Sequence, residues 1–366
     1  MSYKPINYHD YLKLDQILSS QTPRSAEDGR PAHDEMLFIV VHQAYELWFK
    51  QILHEVDSIL SCFNQPTVDE QDMGTAVSRL HRVIEIQRLL FEQVSIIETM
   101  TPLDFLDFRD LLYPASGFQS AQFRVLENKL GLMPNQRLSY NNTRYTEHLR
   151  PDQQQGISEL EEQSSLFDCI ERWLERTPFL EIGQFDFWGR YREAVGSMFQ
   201  QERDALKQNP FLSDEDKKRG VASIEQSEGK FAALFDEKLY EQQRQQGTWR
   251  LSHKATRAAL LIQLYRHQPI FQIPFSLITA LQDIDENMTS WRYRHALMAR
   301  RMLGAKIGTG GSSGSDYLQA TAERHKVFSD FFQLTTFFIP KSKLPELPKD
   351  VKAQLGFYYN SHLPQE

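Results

Sequence analysis

Along most of this chain apolar residues recur at the three-and-four spacing of a helix, and sustained period-two alternation is scarce. Clusters of Val, Ile and Thr are few, and the one Asp-Gly pair, Asp28-Gly29, lies in a polar loop. The spacing predicts a first long helix over about 33–62, with Asp34 and Glu35 where the macrodipole favours acids. It stops near Asn64-Gln65-Pro66. A second helix is predicted over about 69–100, where Val77, Leu80, Val83, Ile84, Leu90 and Val94 mark one face. Thr101 as N-cap, with Pro102 and Asp104 behind it, starts a third that carries Phe105, Phe108, Arg109 and Leu112 before Pro114. Residues 135–156 read as a surface excursion, and helices resume over 157–176. Pro269 and Pro274 are expected to interrupt the next apolar helix, and two more are predicted over 283–306 and 316–338. No fixed-period repeat is present, so an all-α fold follows.

Charge and composition narrow the class. The 366 residues carry 41 Lys+Arg and 49 Asp+Glu, a formal net charge of −8, which argues against a nucleic-acid partner. The charged stretch over about 200–230 reads as a mobile surface insertion or a small, helical and charged satellite subdomain, and the length suits two or three domains or a single large helical core. Two cysteines, Cys62 and Cys169, are too few for a disulfide framework or a thiolate metal site, and a reducing compartment is expected. The first residues lack an apolar segment after a basic start, and the longest apolar run, Met36 to Val41, is far short of a membrane span. The expectation is a soluble, cytoplasmic protein with no membrane partner. Its surplus is aromatic: 24 Phe, 14 Tyr and 5 Trp.

Four features could carry chemistry. The first predicted helix is apolar on nearly every side, which predicts burial all round, and Phe38, His42, Tyr45 and Phe49 share one of its faces. His42 there is either a satisfied core histidine or a polar group in an aromatic pocket. On the helix near residue 295, Trp291, His295, Met298 and Met302 form a stripe, with Arg292, Arg294, Arg300 and Arg301 on the other faces. This is either a core stripe with a solvated basic face or the wall and ligand of a haem, whose propionates suit arginines. No histidine has a Glu three residues before it, so the di-iron bundle motif is absent, and His54-Glu55 does not continue into a zinc-protease motif. Gly308–Gly314 lacks the Lys-Ser/Thr ending of a phosphate loop and is either a helix stop or a hinge that closes on a small polar ligand through Thr309. Phe105 and Arg109, four apart, set an aromatic plane beside a guanidinium, suited to an amino acid's carboxylate or to a surface salt bridge.

Taken together these residues resemble the tryptophan 2,3-dioxygenases, the haem enzymes that open the indole ring of L-tryptophan. The resemblance spans nearly the whole chain and implies one helical catalytic domain over 1–366. It is carried by His33-Asp34-Glu35 with Phe38 to Trp48, by Phe105 to Arg124 with its Pro-Ala-Ser-Gly-Phe-Gln-Ser run, by Trp291 to Gly314, and by Phe337-Phe338-Ile339-Pro340. It implies haem b, one per subunit, with His295 as the axial iron ligand and Trp291, Ser116, Arg124 and Tyr317 around the cofactor. His42 would be the distal histidine facing the indole N–H. Arg109 and Thr309 would bind the amino-acid end, with Phe38 and Phe105 lining the indole pocket. Tyr8 and Tyr11 would lie on an N-terminal segment, about 1–30, exchanged between subunits of a homotetramer. The implied reaction adds both atoms of O2 across the indole C2–C3 bond to give N-formyl-L-kynurenine. A related haem enzyme for a substituted tryptophan and a non-catalytic haem sensor stay open as alternatives.

Overall fold

Helix starts marked in the sequence carry their caps. Thr101 Oγ1 accepts the Asp104 N–H while the Asp104 carboxylate accepts the Thr101 N–H, so the Pro102–Arg109 helix begins with a reciprocal capping box and a proline whose missing N–H costs nothing there. The structure is a computed structural model, and it describes residues 3–138, 144–176, 185–304 and 314–356. Among these the architecture is all-α, with no β-strand. The first two long helices run over Glu35–Phe63 and Glu70–Ile97, close to their predicted bounds.

The chain divides into two units. The first takes Met1–Asp57, His81–Ser164 and Ile284–Val327. Within it the long helices are pinned by polar side chains reaching across: Tyr45 donates to the Leu90 carbonyl at 2.7 Å, Gln93 to the Val41 carbonyl at 3.1 Å and Gln87 to the Ile284 carbonyl at 3.4 Å. Around them Phe49, Ile52, Val56, Ile84 and Leu126 are buried. The second unit takes Ser58–Leu80, Ser165–Asp283 and Phe328–Glu366. Its core is aromatic: Phe63 meets the edge of Trp173 at 6.0 Å, Phe167 stacks on Phe328 at 6.3 Å, and Tyr191 and Tyr240 are fully buried.

The charged stretch over 200–230 is helical, as expected of a small helical, charged segment: it belongs to an antiparallel pair, Phe187–Gln208 and Asp214–Phe235, closed by Phe199 against Phe231 and by Arg203 paired with Glu228 at 2.7 Å. Its charges line the outside of two amphipathic helices. Three expectations are corrected. Neither Pro269 nor Pro274 breaks the next helix, which runs unbroken over Pro269–Leu303. Pro269 opens it, where no N–H is required, and Pro274 gives up one bond near the start while Phe271, Leu277, Ile278 and Leu281 bury the same helix. The helix predicted over 316–338 is instead Gly314–Arg324 followed by Ser329–Gln333. Between them the His325 carbonyl accepts from Arg292 at 2.9 Å and the Val327 N–H donates to Asp285 at 2.9 Å, so long-range partners replace the helical ladder. The excursion over 135–156 ends early, because Pro151 starts a helix to Glu161.

Candidate active site

One wall of the site comes from the Glu35–Phe63 helix. Its start is tied down by Glu35, which is buried and accepts the backbone N–H groups of Arg24 at 2.7 Å and Ser25 at 2.9 Å. One turn on, Phe38 and His42 lie at i and i+4 with ring centroids 4.1 Å apart. His42 Nδ1 is 2.7 Å from the Phe38 carbonyl oxygen, which can only accept, so the proton sits on Nδ1 and Nε2 is left as an acceptor. Solvent reaches part of the ring. The burial of the remainder lowers its pKa below the ordinary histidine value, while the Phe38 carbonyl and the Glu46 charge pull the other way.

The facing wall comes from the Pro269–Leu303 helix. The stripe predicted there forms: the Trp291 and His295 rings are 5.3 Å apart, and Trp291 is held by Phe123 at 5.4 Å and Tyr45 at 6.1 Å. Met302 is buried with Met100 and Phe108, and Met298, Phe38, Phe105 and Leu112 pack against that cluster. Phe38 lies 5.8 Å from Phe105 and 5.7 Å from Phe108, whose ring stands perpendicular to Phe105 at 5.4 Å. The result is an aromatic and sulfur-rich lining.

His295 is the unusual group in this lining. Its Nδ1 is buried without a hydrogen-bond partner, and burial, with a smaller contribution from the charge on His42, pushes its pKa down to about 4. Burial thus biases both imidazoles toward the neutral form, His295 keeping a lone pair free at physiological pH. Among the described residues no three His, Cys, Asp or Glu side chains gather as ligands for a bare ion. A neutral imidazole packed on an indole ring, on a helix that also carries Met298 and Met302, fits iron carried in a haem. Arg124 is buried and paired with Glu127 at 2.9 Å, and Tyr317 meets the Phe118 ring at 5.3 Å.

A family model described as Tryptophan 2,3-dioxygenase matches residues 1–338. The chain belongs to the tryptophan 2,3-dioxygenase family. Among curated relatives, the "Tryptophan 2,3-dioxygenase" of Bdellovibrio bacteriovorus is 57% identical, covering 98% of this chain and all of the relative. That of Dictyostelium discoideum is 46% identical over 98% of this chain and 90% of the relative, and that of Rattus norvegicus 45% identical over 93% and 84%.

Most residues that the resemblance to the tryptophan 2,3-dioxygenases nominated fall in the first unit, where the geometry groups Phe38 with His42 and Phe105 and, separately, Trp291 with His295. Arg109 closes the Pro102–Arg109 helix, half-buried and next in the chain to buried Phe108. Ser116 caps the short turn Gly117–Gln119, accepting the Phe118 N–H. Tyr8 and Tyr11 are 73% and 69% exposed, so this chain does not place them in its own site. Thr309 and the glycine run over 308–313 lie outside the described residues.

Two expectations about this region change. The Glu35–Phe63 helix is not buried all round, since Met36, Val40 and Leu47 are 43%, 46% and 55% exposed along one stripe. Arg292 is not on a solvated basic face but is buried against Glu127. Phe108, which sequence reasoning named only in passing, is fully enclosed and buttresses both Phe38 and Phe105. Phe108→Ala is expected to destabilise the protein by about 3–5 kcal/mol, measured by urea unfolding, because the cavity would sit between two helices that cannot close on it. A change under about 1 kcal/mol would mean that the aromatic cluster is not a packed unit.

Proposed function

We propose that this chain catalyses the reaction for which its family is named, the conversion of L-tryptophan and O2 to N-formyl-L-kynurenine with haem b, one per subunit. The observation that carries this reading is His295: a buried, partnerless nitrogen on a neutral imidazole, packed on Trp291 along a helix whose Met298 and Met302 join an aromatic cluster with Phe38, Phe105 and Phe108. Bound haem supplies the activation of dioxygen that no amino-acid side chain provides. His295 would hold its iron, and Trp291, Ser116, Arg124 and Tyr317 would surround the macrocycle and its carboxylates.

The chain's own groups would then bind, orient and keep out water. Phe38 and Phe105, backed by Phe108, offer flat apolar faces to the indole. His42 presents Nε2 as an acceptor for the indole N–H, because Nδ1 already donates to the Phe38 carbonyl. Arg109 would take the substrate carboxylate in a bidentate pair, with Thr309 at the amino-acid end. Both oxygen atoms remain in the product, so turnover consumes no reductant.

Two surfaces support assembly into a homotetramer. Tyr3, Ile6, Tyr8 and Tyr11 are exposed on the N-terminal segment, and Met36, Val40 and Leu47 are exposed on the helix beside it. We take Tyr8 and Tyr11 to complete a neighbouring subunit's pocket. No described helix is long and apolar enough to cross a membrane, and both cysteines are free and buried, which supports a reducing, cytoplasmic setting.

The test is to supply the purified protein with haem, reductant and L-tryptophan under oxygen and to identify the product by mass. N-formyl-L-kynurenine carrying two labelled oxygens from labelled O2 is the expected result, and a haem-loaded protein that forms none overturns the reading. His42→Ala is expected to retain haem and lose roughly tenfold to a thousandfold in kcat/KM, the range for removing one positioned hydrogen-bonding group. Protonation removes the Nε2 acceptor. The parent's activity should therefore fall as pH drops below 6.5 through the lowered His42 pKa, and that limb should be missing from the variant's pH profile. An identical acid limb in His42→Ala assigns it elsewhere.

A further inference from the structure

Glu127, 2% exposed on the Ala121–Leu130 helix, is the centre of a buried ionic cluster that draws on four separate stretches of chain. Its Oε2 accepts from Arg124 Nη1 at 2.9 Å and from Arg137 Nη1 at 2.5 Å, and its Oε1 from Arg292 Nη2 at 2.9 Å. His325 approaches the same oxygen at 3.5 Å through Nδ1. Because His325 Nε2 accepts the Leu138 N–H at 3.3 Å, the proton of the neutral ring belongs on Nδ1, facing the carboxylate. Burial alone would push the Glu127 carboxyl up, but Arg137, Arg124, His325 and Arg292 together hold it well below the ordinary range. It stays ionised.

The cluster has a direction. Arg292 is one residue from Trp291 and one turn from His295, and it is anchored at two points, the Glu127 carboxylate and the His325 carbonyl. The Arg124 and Arg292 guanidinium carbons lie 5.7 and 5.8 Å from the Phe123 ring, which packs on Trp291, which in turn packs on His295. Three guanidiniums meet one directly paired carboxylate, with Asp285 acting on Arg292 from further away, so the cluster remains net positive. Nε of Arg124 and of Arg137 is buried with no partner. A neutral fold-stabilising core would not need this excess.

We propose that Glu127 is a positioning residue for the haem: by gathering Arg124, Arg137 and Arg292 it sets the rotation of the helix that presents Trp291 and His295 and keeps positive charge at the carboxylate edge of the cofactor. The inference rests on the haem reading of His295. Glu127 itself touches neither iron nor substrate. It acts through Arg292 and Phe123 in the way that outer partners orient metal-ligating histidines, whose loss costs about 10–100-fold in affinity.

Two variants test it against the haem-loaded parent. Arg292→Lys keeps the charge but replaces a fork that reaches two oxygens by a single ammonium. The pair Glu127→Gln with Arg137→Gln removes one charge of each sign, so the interior is not left with an added net charge if Glu127→Gln alone fails to fold. For each, circular dichroism reports folding, transfer of haem to excess apomyoglobin gives the dissociation rate, and the ferric visible spectrum reports the iron's ligand field. The expected result is a folded variant with haem dissociation faster by about tenfold or more and a shifted ferric spectrum. Folded variants that match the parent in both readouts overturn the proposal, as does a loss of thermal stability with dissociation and spectrum unchanged, which would make the cluster structural only. A parent that binds no haem at all fails the functional reading first, and with it this inference.

Discussion

His295→Ala is expected to abolish stable haem retention while leaving the helical fold in place. In the folded chain this imidazole is neutral, with a pKa pushed down to about 4, and its Nδ1 is buried without a partner. Removing it therefore deletes no ion pair and relieves one unsatisfied buried group, a gain of about 1–3 kcal/mol that offsets the small cavity left behind. The thermal midpoint of the haem-free protein should change little. The Soret band of the loaded protein should disappear on gel filtration, and turnover with it. Free imidazole, which fits the space vacated by the ring, should restore part of the band. Full retention of haem by the alanine variant would mean that another residue holds the iron and would overturn the roles proposed for His295 and His42.

Arg109→Leu is expected to act on the other partner. Leucine keeps much of the aliphatic stem but removes the fork that matches a carboxylate. If the pair with the substrate carboxylate is desolvated, its loss costs about 2–5 kcal/mol of binding, a rise in KM of roughly thirtyfold or more. The effect should be larger for L-tryptophan than for an indole that lacks the amino-acid end, because only the former has the charge that Arg109 meets. Equal KM changes for both, or none for either, remove Arg109 from the site. Haem content should be unaffected in every case.

These two residues illustrate how unevenly the site was legible. His295 and Arg109 stand in patterns that name candidate chemistry: an imidazole in a Trp and Met stripe, and a guanidinium one turn from a phenylalanine. Helical periodicity decides which residues share a face, but there it left each pattern open between packing and chemistry, and only the family resemblance proposed the roles. Arg292 shows the limit. By periodicity it belongs to a basic face, and that reading holds for Arg300 and Arg301, which are exposed, but fails where Glu127, 165 residues away in sequence, reaches over to meet it. Phe108 was similarly understated, because nothing in its own helix tells that Phe38 and Met302 will close around it.

The helix boundaries divide on the same line. The reciprocal Thr101–Asp104 cap and the approximate spans of the first two long helices depend on neighbours within a few residues, and they form as read. The unbroken helix through Pro274 and the break at 325–328 depend on tertiary partners. In the first, burial of Phe271, Leu277, Ile278 and Leu281 outweighs one lost backbone bond; in the second, Asp285 and Arg292 capture backbone groups that would have continued a helix. By itself, then, the order of residues determined the all-α class and the amphipathic faces, because each follows from interactions within a turn or two, while the side chains proposed for the chemistry came from the family resemblance. Only the tertiary structure decided that burial holds the His295 ring neutral, which tautomer His42 adopts, and that Arg292 and His325 reach Glu127 from far along the chain. Burial, desolvation and long-range charge pairing arise when segments far apart in sequence pack together, and no local spacing encodes them.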